Sequence, residues 1–545
     1  MERNHKASLA GGISFFSGLY LVLSVMCAYA SEKDLNGIVV DQEGSPIKNA
    51  VVSVQGSALA TRTDIQGHFH ITVDRPLNSS NITAGKFGFY NGAKPLEPDR
   101  QTYRLELTRL PSGDQEEYSW LRPLNGQDKS APEEGEQKVC QRCHPTLTEE
   151  WQNDAHSGAA VNPVFLAFYN GRQKNGGQEA APGYKTDFPE ANGNCATCHV
   201  PALALARPFQ ADPNLAAGIE KEGIFCDFCH KISGVAIDQT GAKPGVLSLK
   251  LQRPSTGRQV FFGPYADVFP GDDAYHPLYA KSHYCAPCHN GKFWDVPAYS
   301  EFQEWNDSSY KTRNIHCQNC HMPSLRTSPR FALQEEGGVA RNPETIPSHF
   351  HLGVQNEAFM KEAIELTSQT QATGDVLELK VTVRNVKAGH HYPTGSPMRN
   401  MILLVGVRDE NGHVPDMLQG GTVPVWGGVG APEEGNYAGL PGKGFAKVLR
   451  DAILYPDRQQ RHFAYQYPAP HWRPTVIESD SRIPADGVDE SRYRFQLSES
   501  LSWPVTVTVR LIYRRSYKQW MDAKNLQIPD MEIARETTTL RRNKR

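Results

Sequence analysis

The stretch GIFCDFCHKI, residues 223–232, contains two cysteines three positions apart, with a histidine directly after the second cysteine. In a helical turn, positions i and i+3 lie on one side of the backbone, and position i+4 lies beside them. Cys226 and Cys229 can therefore add to the two vinyl groups of one haem, while His230 reaches its iron. The pattern C-x-x-C-H is typical of c-type haem attachment, and the axial histidine sets the range of the reduction potential.

The same pattern occurs five times along the 545 residues. The motifs, each given as two cysteines and a histidine, are Cys140, Cys143 and His144; Cys195, Cys198 and His199; Cys226, Cys229 and His230; Cys285, Cys288 and His289; and Cys317, Cys320 and His321. Of the eleven cysteines in the chain, Cys27 is the single one outside these motifs. We therefore expect five covalently attached haem c groups, with the five histidines as proximal iron ligands.

Three other uses of paired cysteines explain the sequence less well. Disulfide bonds suit an exported chain, but they do not require a histidine after every second cysteine. Structural zinc sites use paired CxxC motifs without an adjacent invariant histidine. A thioredoxin-like redox motif is expected once rather than five times. Haem attachment is the interpretation that accounts for all the repeats.

The spacing of the motifs predicts how the haems group together. The motif starts are 55, 31, 59 and 32 residues apart. This alternation predicts two haem pairs, Cys195 with Cys226 and Cys285 with Cys317, preceded by a single haem. The stretch 138–355 provides roughly 44 residues for each motif, so neighbouring haems must pack against one another and form much of the core.

The first thirty residues predict a Sec-type signal peptide, 1–30. Two basic residues precede the apolar run 13–26, and small residues end at Ala30, as signal peptidase requires. Lipidation at Cys27 and a retained anchor stay open as alternatives. No long apolar segment follows, so we expect an exported chain without an integral membrane span, either periplasmic or on the outer cell surface. A formal net charge of −3 gives no reason to expect nucleic-acid binding.

Residues 33–110 hold no cysteine, and apolar and polar residues alternate there between turn signals. The pattern G-x-V-x-D-x-x-G-x-P-I, then A-V-V-x-V, then T-D-x-x-G-x-F, resembles the carboxypeptidase regulatory-like β-sandwich. This resemblance implies a binding or spacer module. His68 and His70 are expected to face solvent, with a metal site as the alternative. Residues 111–137, rich in Pro, Gly and charge, are expected to form a linker.

Residues 138–355 contain all five motifs, and we expect short helices and long loops around them. The strings EEWQNDAHSGAA, GIFCDFCHKI, SHYCAPCHN, HCQNCHMP and SHFHLGV resemble the multihaem family of the tetrahaem cytochrome that is the partner of hydroxylamine oxidoreductase. The resemblance implies a multihaem domain. The five motifs of this chain differ from the four haems of that cytochrome.

Residues 356–545 predict a C-terminal β-sandwich-like domain, with strands at 377–386, 401–408 and 505–515. The string NVKAGHHYPTGSPMRN resembles a segment of the same family in which a histidine from a β domain faces the haems. The final RRNKR is expected to be a frayed tail. The predicted architecture is multidomain: an N-terminal β-sandwich, a central, mainly helical and irregular pentahaem domain, and the C-terminal β domain.

Thirteen of the nineteen histidines remain once His5 and the five motif histidines are set aside. Distal iron ligands are predicted from position in these strings at His156, His349 and His390, with His391 as the alternative to His390. His276, in the stretch GPYADVFPGDDAYHPLY upstream of the fourth motif, is predicted as another. His283 and His316, next to the fourth and fifth motifs, are weaker candidates for one further iron. The β-domain surface is the expected place of His413, His462 and His471.

Two functions remain for such a chain. With mostly bis-histidine irons it would relay electrons between other redox proteins, such as cytochromes, quinol-linked proteins or outer-membrane electron conduits. The alternative is an oxidoreductase acting on a small nitrogen or sulfur compound at a five-coordinate haem, although every motif ends in His and none in the Lys of pentahaem nitrite reductases. An adhesive surface protein does not explain five haems. We expect a carrier without catalytic residues, and a homo-oligomer stays open.

We expect the intact mass of the exported chain to exceed that of its peptide by five haems. Thioether-bound haem should survive denaturation in acidic organic solvent, so mass spectrometry after such treatment counts the groups. The Cys226→Ser variant should lose the third group and destabilise its neighbours, since packed haems support one another. Fewer than five haems on the unaltered chain would contradict the count.

Overall fold

The computed structural model of the chain describes residues 32–74, 81–124, 139–238, 241–269, 271–325, 327–452 and 466–542. The signal peptide expected at 1–30, residues 125–137 of the expected linker, His462 and the last three residues of the chain lie outside the described residues. None of the described helices is both long enough and apolar enough to span a membrane.

The described residues of the N-terminal part form seven strands in two sheets. The strands are β1 (Glu32–Asp41), β2 (Val51–Val54), β3 (Ala60–Arg62), β4 (His68–Asp74), β5 (Asn81–Gly85), β6 (Gly92–Pro95) and β7 (Thr102–Leu107). One sheet has the order β4-β1-β7 and the other β3-β2-β5-β6. Successive side chains of a strand point to opposite faces, and Leu35, Val52 and Leu105 are fully buried in one core. This N-terminal β unit agrees with the two-sheet architecture predicted for it.

Short helices and two-stranded sheets make up the central region. The helices are α1 (Cys140–Cys143), α2 (Pro145–Gln152), α3 (Pro163–Asn170), α4 (Tyr184–Asp187), α5 (Ala196–His199), α6 (Pro201–Ala204), α7 (Cys226–Cys229), α8 (Glu301–Asn306), α9 (Ser309–Thr312) and α10 (Cys317–His321). The strands are β8 (Ile232–Val235), β9 (Ile237–Asp238), β10 (Gly241–Ala242), β11 (Leu249–Leu251), β12 (Phe261–Gly263), β13 (Asp273–Tyr275), β14 (Gly291–Phe293) and β15 (Val296–Tyr299). Buried apolar side chains of this region fall into small clusters, such as Trp151 with Phe225, Phe228 and Ile232.

The CxxCH motifs adopt the helical turn that their spacing predicts. In the first four motifs the amide of the histidine donates to the carbonyl of the first cysteine, at 2.9 Å for His144, 3.1 Å for His199, and 3.0 Å for both His230 and His289. This bond is the i to i−4 bond of an α-helix. The fifth motif lies within α10. The two thiols and the imidazole of each motif therefore share one side of a turn.

Two larger sheets form the C-terminal β unit. Its elements are α11 (Glu357–Glu362), β16 (Ile364–Thr373), β17 (Val376–Asn385), β18 (Asn400–Arg408), β19 (Met417–Gln419), β20 (Gly442–Asp451), β21 (Thr475–Asp480), β22 (Val488–Gln496), β23 (Val505–Arg514), α12 (Lys518–Ala523) and β24 (Met531–Leu540). The sheet orders are β16-β17-β22-β19 and β21-β20-β18-β23-β24. Leu377, Leu403 and Val507 lie in the core between them. The three predicted strands correspond to β17, β18 and β23 and are confirmed.

The first half of the expected linker is held against the third motif. The Tyr118 hydroxyl and the Leu121 amide donate to the Asp227 carboxylate at 2.9 and 2.8 Å. Arg253 donates to Asp114 at 2.6 Å. Residues 111–124 therefore act as part of the central region.

A buried ion pair joins the central region to the C-terminal β unit. Two nitrogens of Arg473 donate to the two oxygens of Asp187, each at 2.7 Å, and both side chains are almost fully buried. The Trp472 indole donates to the same carboxylate at 2.7 Å. The pair lies at the end of α4, so it fixes the first half of the central region against the β unit.

We expect Asp187→Ala to lower the free energy of unfolding by about 3–5 kcal/mol, because it leaves a buried guanidinium without its bidentate partner. The measurement is denaturant unfolding followed by circular dichroism. Glu362→Ala is the matched control: its pair with Lys387 is more than half exposed, and exposed pairs contribute little. Equal unfolding midpoints for the two variants would contradict the stabilising role of the Asp187–Arg473 pair.

Candidate haem-binding sites

Every motif histidine turns its Nδ1 atom toward an oxygen. Four of them meet backbone carbonyls: Phe331 for His144 (2.9 Å), Ala159 for His199 (3.4 Å), Phe262 for His230 (2.6 Å) and Leu352 for His321 (2.6 Å). For His289 the oxygen is that of the Glu301 carboxylate, an ion-pair contact at 3.7 Å. A carbonyl only accepts, so Nδ1 carries the proton and Nε2 keeps its lone pair. Metal-binding histidines almost always show this arrangement. The residues therefore fit an iron at each Nε2.

Three motif histidines face a second imidazole at the distance that an iron requires. The ring centres lie 6.4 Å apart for His156 and His289, 6.3 Å for His230 and His349, and 6.2 Å for His321 and His390. A metal–imidazole bond of about 2 Å on each side, with about 1.1 Å from each ring centre to its nitrogen, separates two axial rings by about 6.3 Å. We call these three the opposed pairs.

The segment that carries His349 is fixed at both ends. The His349 amide donates to Glu150 at 2.9 Å, and Glu150 lies on α2, directly after the first motif. The Leu352 amide donates to the carbonyl of His321 at 2.9 Å, and its own carbonyl accepts from the His321 ring. The first and fifth motifs together therefore position the partner of His230.

The loop that carries His390 comes from the C-terminal β unit and is anchored to α8. Glu304 of α8 accepts from the His391 amide at 3.1 Å and from the Thr394 hydroxyl at 2.7 Å. A Cβ atom at Gly389 would lie 2.9 Å from the Tyr310 ring, so only glycine allows the loop to approach this closely. The His390 Nδ1 donates to the His391 carbonyl at 2.9 Å. This geometry selects His390, not His391, as the partner of His321.

His156 is held by a carboxylate two residues before it. Its amide and its Nδ1 donate to Asp154 Oδ1 at 3.0 and 2.6 Å. The amide and Nδ1 of His351 also donate to Asp154, at 2.9 and 3.2 Å. Sequence reasoning missed Asp154 and Glu304. The available signal was that a liganding histidine needs an Nδ1 acceptor, and Asp154 is the nearest acidic residue to His156.

The structure argues against His276 as a distal ligand. Its Nε2 donates to the Ser233 carbonyl at 2.9 Å, and its Nδ1 accepts from the Leu278 amide at 3.2 Å. Both ring nitrogens are therefore engaged with backbone, and the ring lies tilted against Phe87 of the N-terminal β unit, with the ring centres 4.1 Å apart. The prediction rested on its position upstream of the fourth motif, which does not determine where the ring points.

The weaker candidates are not paired with a motif histidine either. His316 contacts Lys281, Ser282 and Asn314 through its ring nitrogens. The ring of His283 lies edge-on to Phe302, with the two ring centres 5.1 Å apart.

Of the five histidines expected on β surfaces, three are exposed, one is buried, and His462 lies outside the described residues. His68, His70 and His413 have side chains at least 58% exposed. His471 is buried, and its Nε2 lies 3.2 Å from the Tyr299 hydroxyl. The surface prediction for His471 is therefore wrong.

The motifs contact one another in an order that their spacing only partly predicts. The thiols of Cys285 and Cys317 are in contact, as expected. Cys226, however, lies beside Cys140 of the first motif, a neighbour that the spacing did not predict. The second motif meets the fourth through Cys198 and Cys288. Tertiary packing, not separation along the chain, decides these neighbours.

Burial keeps most of the axial imidazoles neutral. It lowers the pKa of His199 and of His321 to about 4 and also lowers that of His230. A neutral imidazole is the form that binds a metal. For His289 burial acts in the same direction, but the Glu301 carboxylate outweighs it and raises the pKa.

Comparison with known proteins bears on the class of protein. The family described as cytochrome c554 and c-prime matches residues 139–231. A solved structure of a penta-heme cytochrome c552 from Thermochromatium tepidum is 19% identical, covers 74% of this chain and 97% of that chain, and has a TM-score of 0.50. A 3-chlorocatechol 1,2-dioxygenase from Rhodococcus opacus 1CP is 15% identical over 15% of this chain and 60% of that chain, and its TM-score of 0.12 is too low to carry an argument. No curated protein matches the chain.

The motifs, the family match and the fold of the penta-heme neighbour support a multihaem c-type cytochrome that binds haem c. The family match covers the first three CxxCH motifs. The structural likeness extends over most of the chain and concerns the fold.

We expect His390→Ala to convert one iron from low spin to high spin, because the ring facing His321 is removed. Low-temperature EPR of the oxidised protein counts the two kinds of iron. His391→Ala is the matched control and should leave the count unchanged, as should His276→Ala. A new high-spin signal in His276→Ala would restore the distal role that its hydrogen bonds argue against.

Proposed function

We propose that the chain relays electrons, one at a time, between other redox proteins outside the cytoplasm. The observation that carries this proposal is the set of three opposed pairs at iron spacing. Haem c supplies a reversible one-electron couple when bound. Two strong axial ligands leave no coordination position for a substrate, so such irons suit electron transfer rather than catalysis.

We propose five haems, one for each motif, held by the ten motif cysteines and the five proximal histidines. His156, His349 and His390 supply the second axial ligand in the opposed pairs. The contacts of Cys140 with Cys226, Cys198 with Cys288, and Cys285 with Cys317 join the motifs into two groups. The closeness of Cys229 to Cys285 links these groups and supports haem edges that are close enough for electron transfer along the whole set.

The wider organisation follows from the sequence. The signal at 1–30 supports export to the periplasm or outer surface, where multihaem c-type cytochromes typically reside. The motif strings support kinship with the tetrahaem cytochrome that is the partner of hydroxylamine oxidoreductase. The proposed domains are an N-terminal β-sandwich at 33–110, a pentahaem domain at 138–355 and a C-terminal β domain at 356–545. The carboxypeptidase regulatory-like unit is proposed as a spacer, because Phe87, Asn91 and Gln55 bind it to the central region.

A second function is an oxidoreductase acting on a small nitrogen or sulfur compound. The specific observation is the surroundings of His144 and His199. Their rings stack with Phe331 and Phe165, at 6.1 and 3.8 Å between centres, and no other described imidazole is paired with either at iron spacing. Either motif could therefore hold the five-coordinate iron that such a reaction needs.

We expect the reduced protein to bind carbon monoxide at no more than two irons per chain, because the opposed pairs must first lose a strong ligand. Flash photolysis with optical spectroscopy measures the stoichiometry. His349→Ala should add one rapidly binding site. Rapid oxidation by a cytochrome acceptor without nitrite or hydroxylamine turnover supports the relay, whereas turnover of either compound would establish the enzyme instead.

A further inference from the structure

Two buried carboxylates face the two imidazoles of one opposed pair. Asp154 Oδ1 accepts from His156 Nδ1 at 2.6 Å, and Glu301 Oε1 lies 3.7 Å from His289 Nδ1. The Asp154 side chain has no exposed surface, and that of Glu301 is 17% exposed. Each imidazole of this pair therefore has a carboxylate on its Nδ1 side, opposite the Nε2 atom that would bind the iron.

The other opposed pairs have neutral acceptors where the structure shows one. His230 and His321 donate to backbone carbonyls at 2.6 Å, and His390 donates to the carbonyl of His391. A carbonyl carries only a partial charge. Hydrogen bonds to an ionised acceptor are roughly twice as strong as neutral ones, and they raise the basicity of the imidazole. The bond from His156 to Asp154 is of this kind, whereas Glu301, 3.7 Å from His289 Nδ1, acts through its charge.

Asp154 cannot turn away from His156. It also accepts from the His351 amide through Oδ2 at 2.9 Å and from the His351 ring at 3.2 Å. Glu301 is held less tightly: its side chain is largely buried, and its Oε1 lies beside His289 Nδ1. The two charges therefore lie behind the two imidazoles of a single expected iron, where low polarity makes them act strongly.

We propose that Asp154 and Glu301 are positioning residues that give the iron between His156 and His289 the lowest reduction potential of the three opposed pairs. Stronger axial donors and nearby negative charge stabilise the oxidised iron, which carries one more positive charge than the reduced iron. This inference rests on the haem attachment proposed above and names the residues that set the reduction potential at one of the haem sites.

Asp154→Asn and Glu301→Gln keep the shape of each side chain and remove its charge. Potentiometric titration, followed by absorbance and EPR, gives the midpoint of each iron, and His156→Met identifies the midpoint of this axis, because a methionine ligand raises it. We expect the lowest midpoint to rise in each variant and to rise further in the double variant. The number of haems by mass and the count of low-spin irons should stay unchanged.

Asp409→Asn is the matched control. Asp409 is likewise a carboxylate without exposed surface, and it accepts from the amide and Nδ1 of His413, at 2.8 and 3.1 Å, in the C-terminal β unit. Its removal should leave every midpoint in place. The proposal is overturned if the lowest midpoint potential is unchanged in both Glu301→Gln and Asp154→Asn, or if the control shifts it equally. If Asp154→Asn does not fold, Glu301→Gln decides alone. A wild-type chain without covalent haem would instead refute the proposed function.

Discussion

The hydrogen bond from a motif imidazole to an oxygen elsewhere in the chain is the interaction on which the central region depends. His144 and Phe331 are joined across 187 positions, His199 and Ala159 across 40. Closing such loops costs chain entropy that a thin apolar core recovers only in part. Each bond also fixes which nitrogen holds the proton. Folding of the loops and preparation of an iron ligand are therefore one event.

The C-terminal β unit takes part in this arrangement through α8. Glu304 is buried and accepts from Arg482 of the β unit at 2.7 Å as well as from the loop that carries His390. Hydrogen bonds to a charged group contribute about 1.5–3 kcal/mol each, and a carboxylate buried with several donors is costly to expose. A ligand delivered by a second folded unit is thus placed as firmly as one from the same helix.

The sequence predicted local structure well, but it predicted only part of the contacts between residues that are distant along the chain. The turns of the motifs follow from spacing, and β17, β18 and β23 follow from alternation, because neighbouring residues decide both. His156, His349 and His390 were proposed from short strings, and the structure places each beside a motif histidine, in segments held by Asp154, Glu150 and Glu304. His276 and His471 could not be judged in this way. Backbone from β8 engages His276, and His471 packs against the rings of Phe293 and Tyr299. Nothing local indicated either contact.

The fourth motif lies where the contacts between motifs meet. Cys288 contacts Cys198 of the second motif, Cys285 contacts Cys317 of the fifth, and Cys229 of the third lies close to the fourth. In the proposed relay, electrons that pass between those branches cross the fourth motif, so the reduction potential there sets how they are distributed. For a one-electron couple, each lowering by about 59 mV reduces the occupancy there tenfold. In that relay, the charges of Asp154 and Glu301 beside His156 and His289 can control the exchange of electrons between branches while every contact between motifs stays intact. A substitution at an outer motif would not act on this shared point.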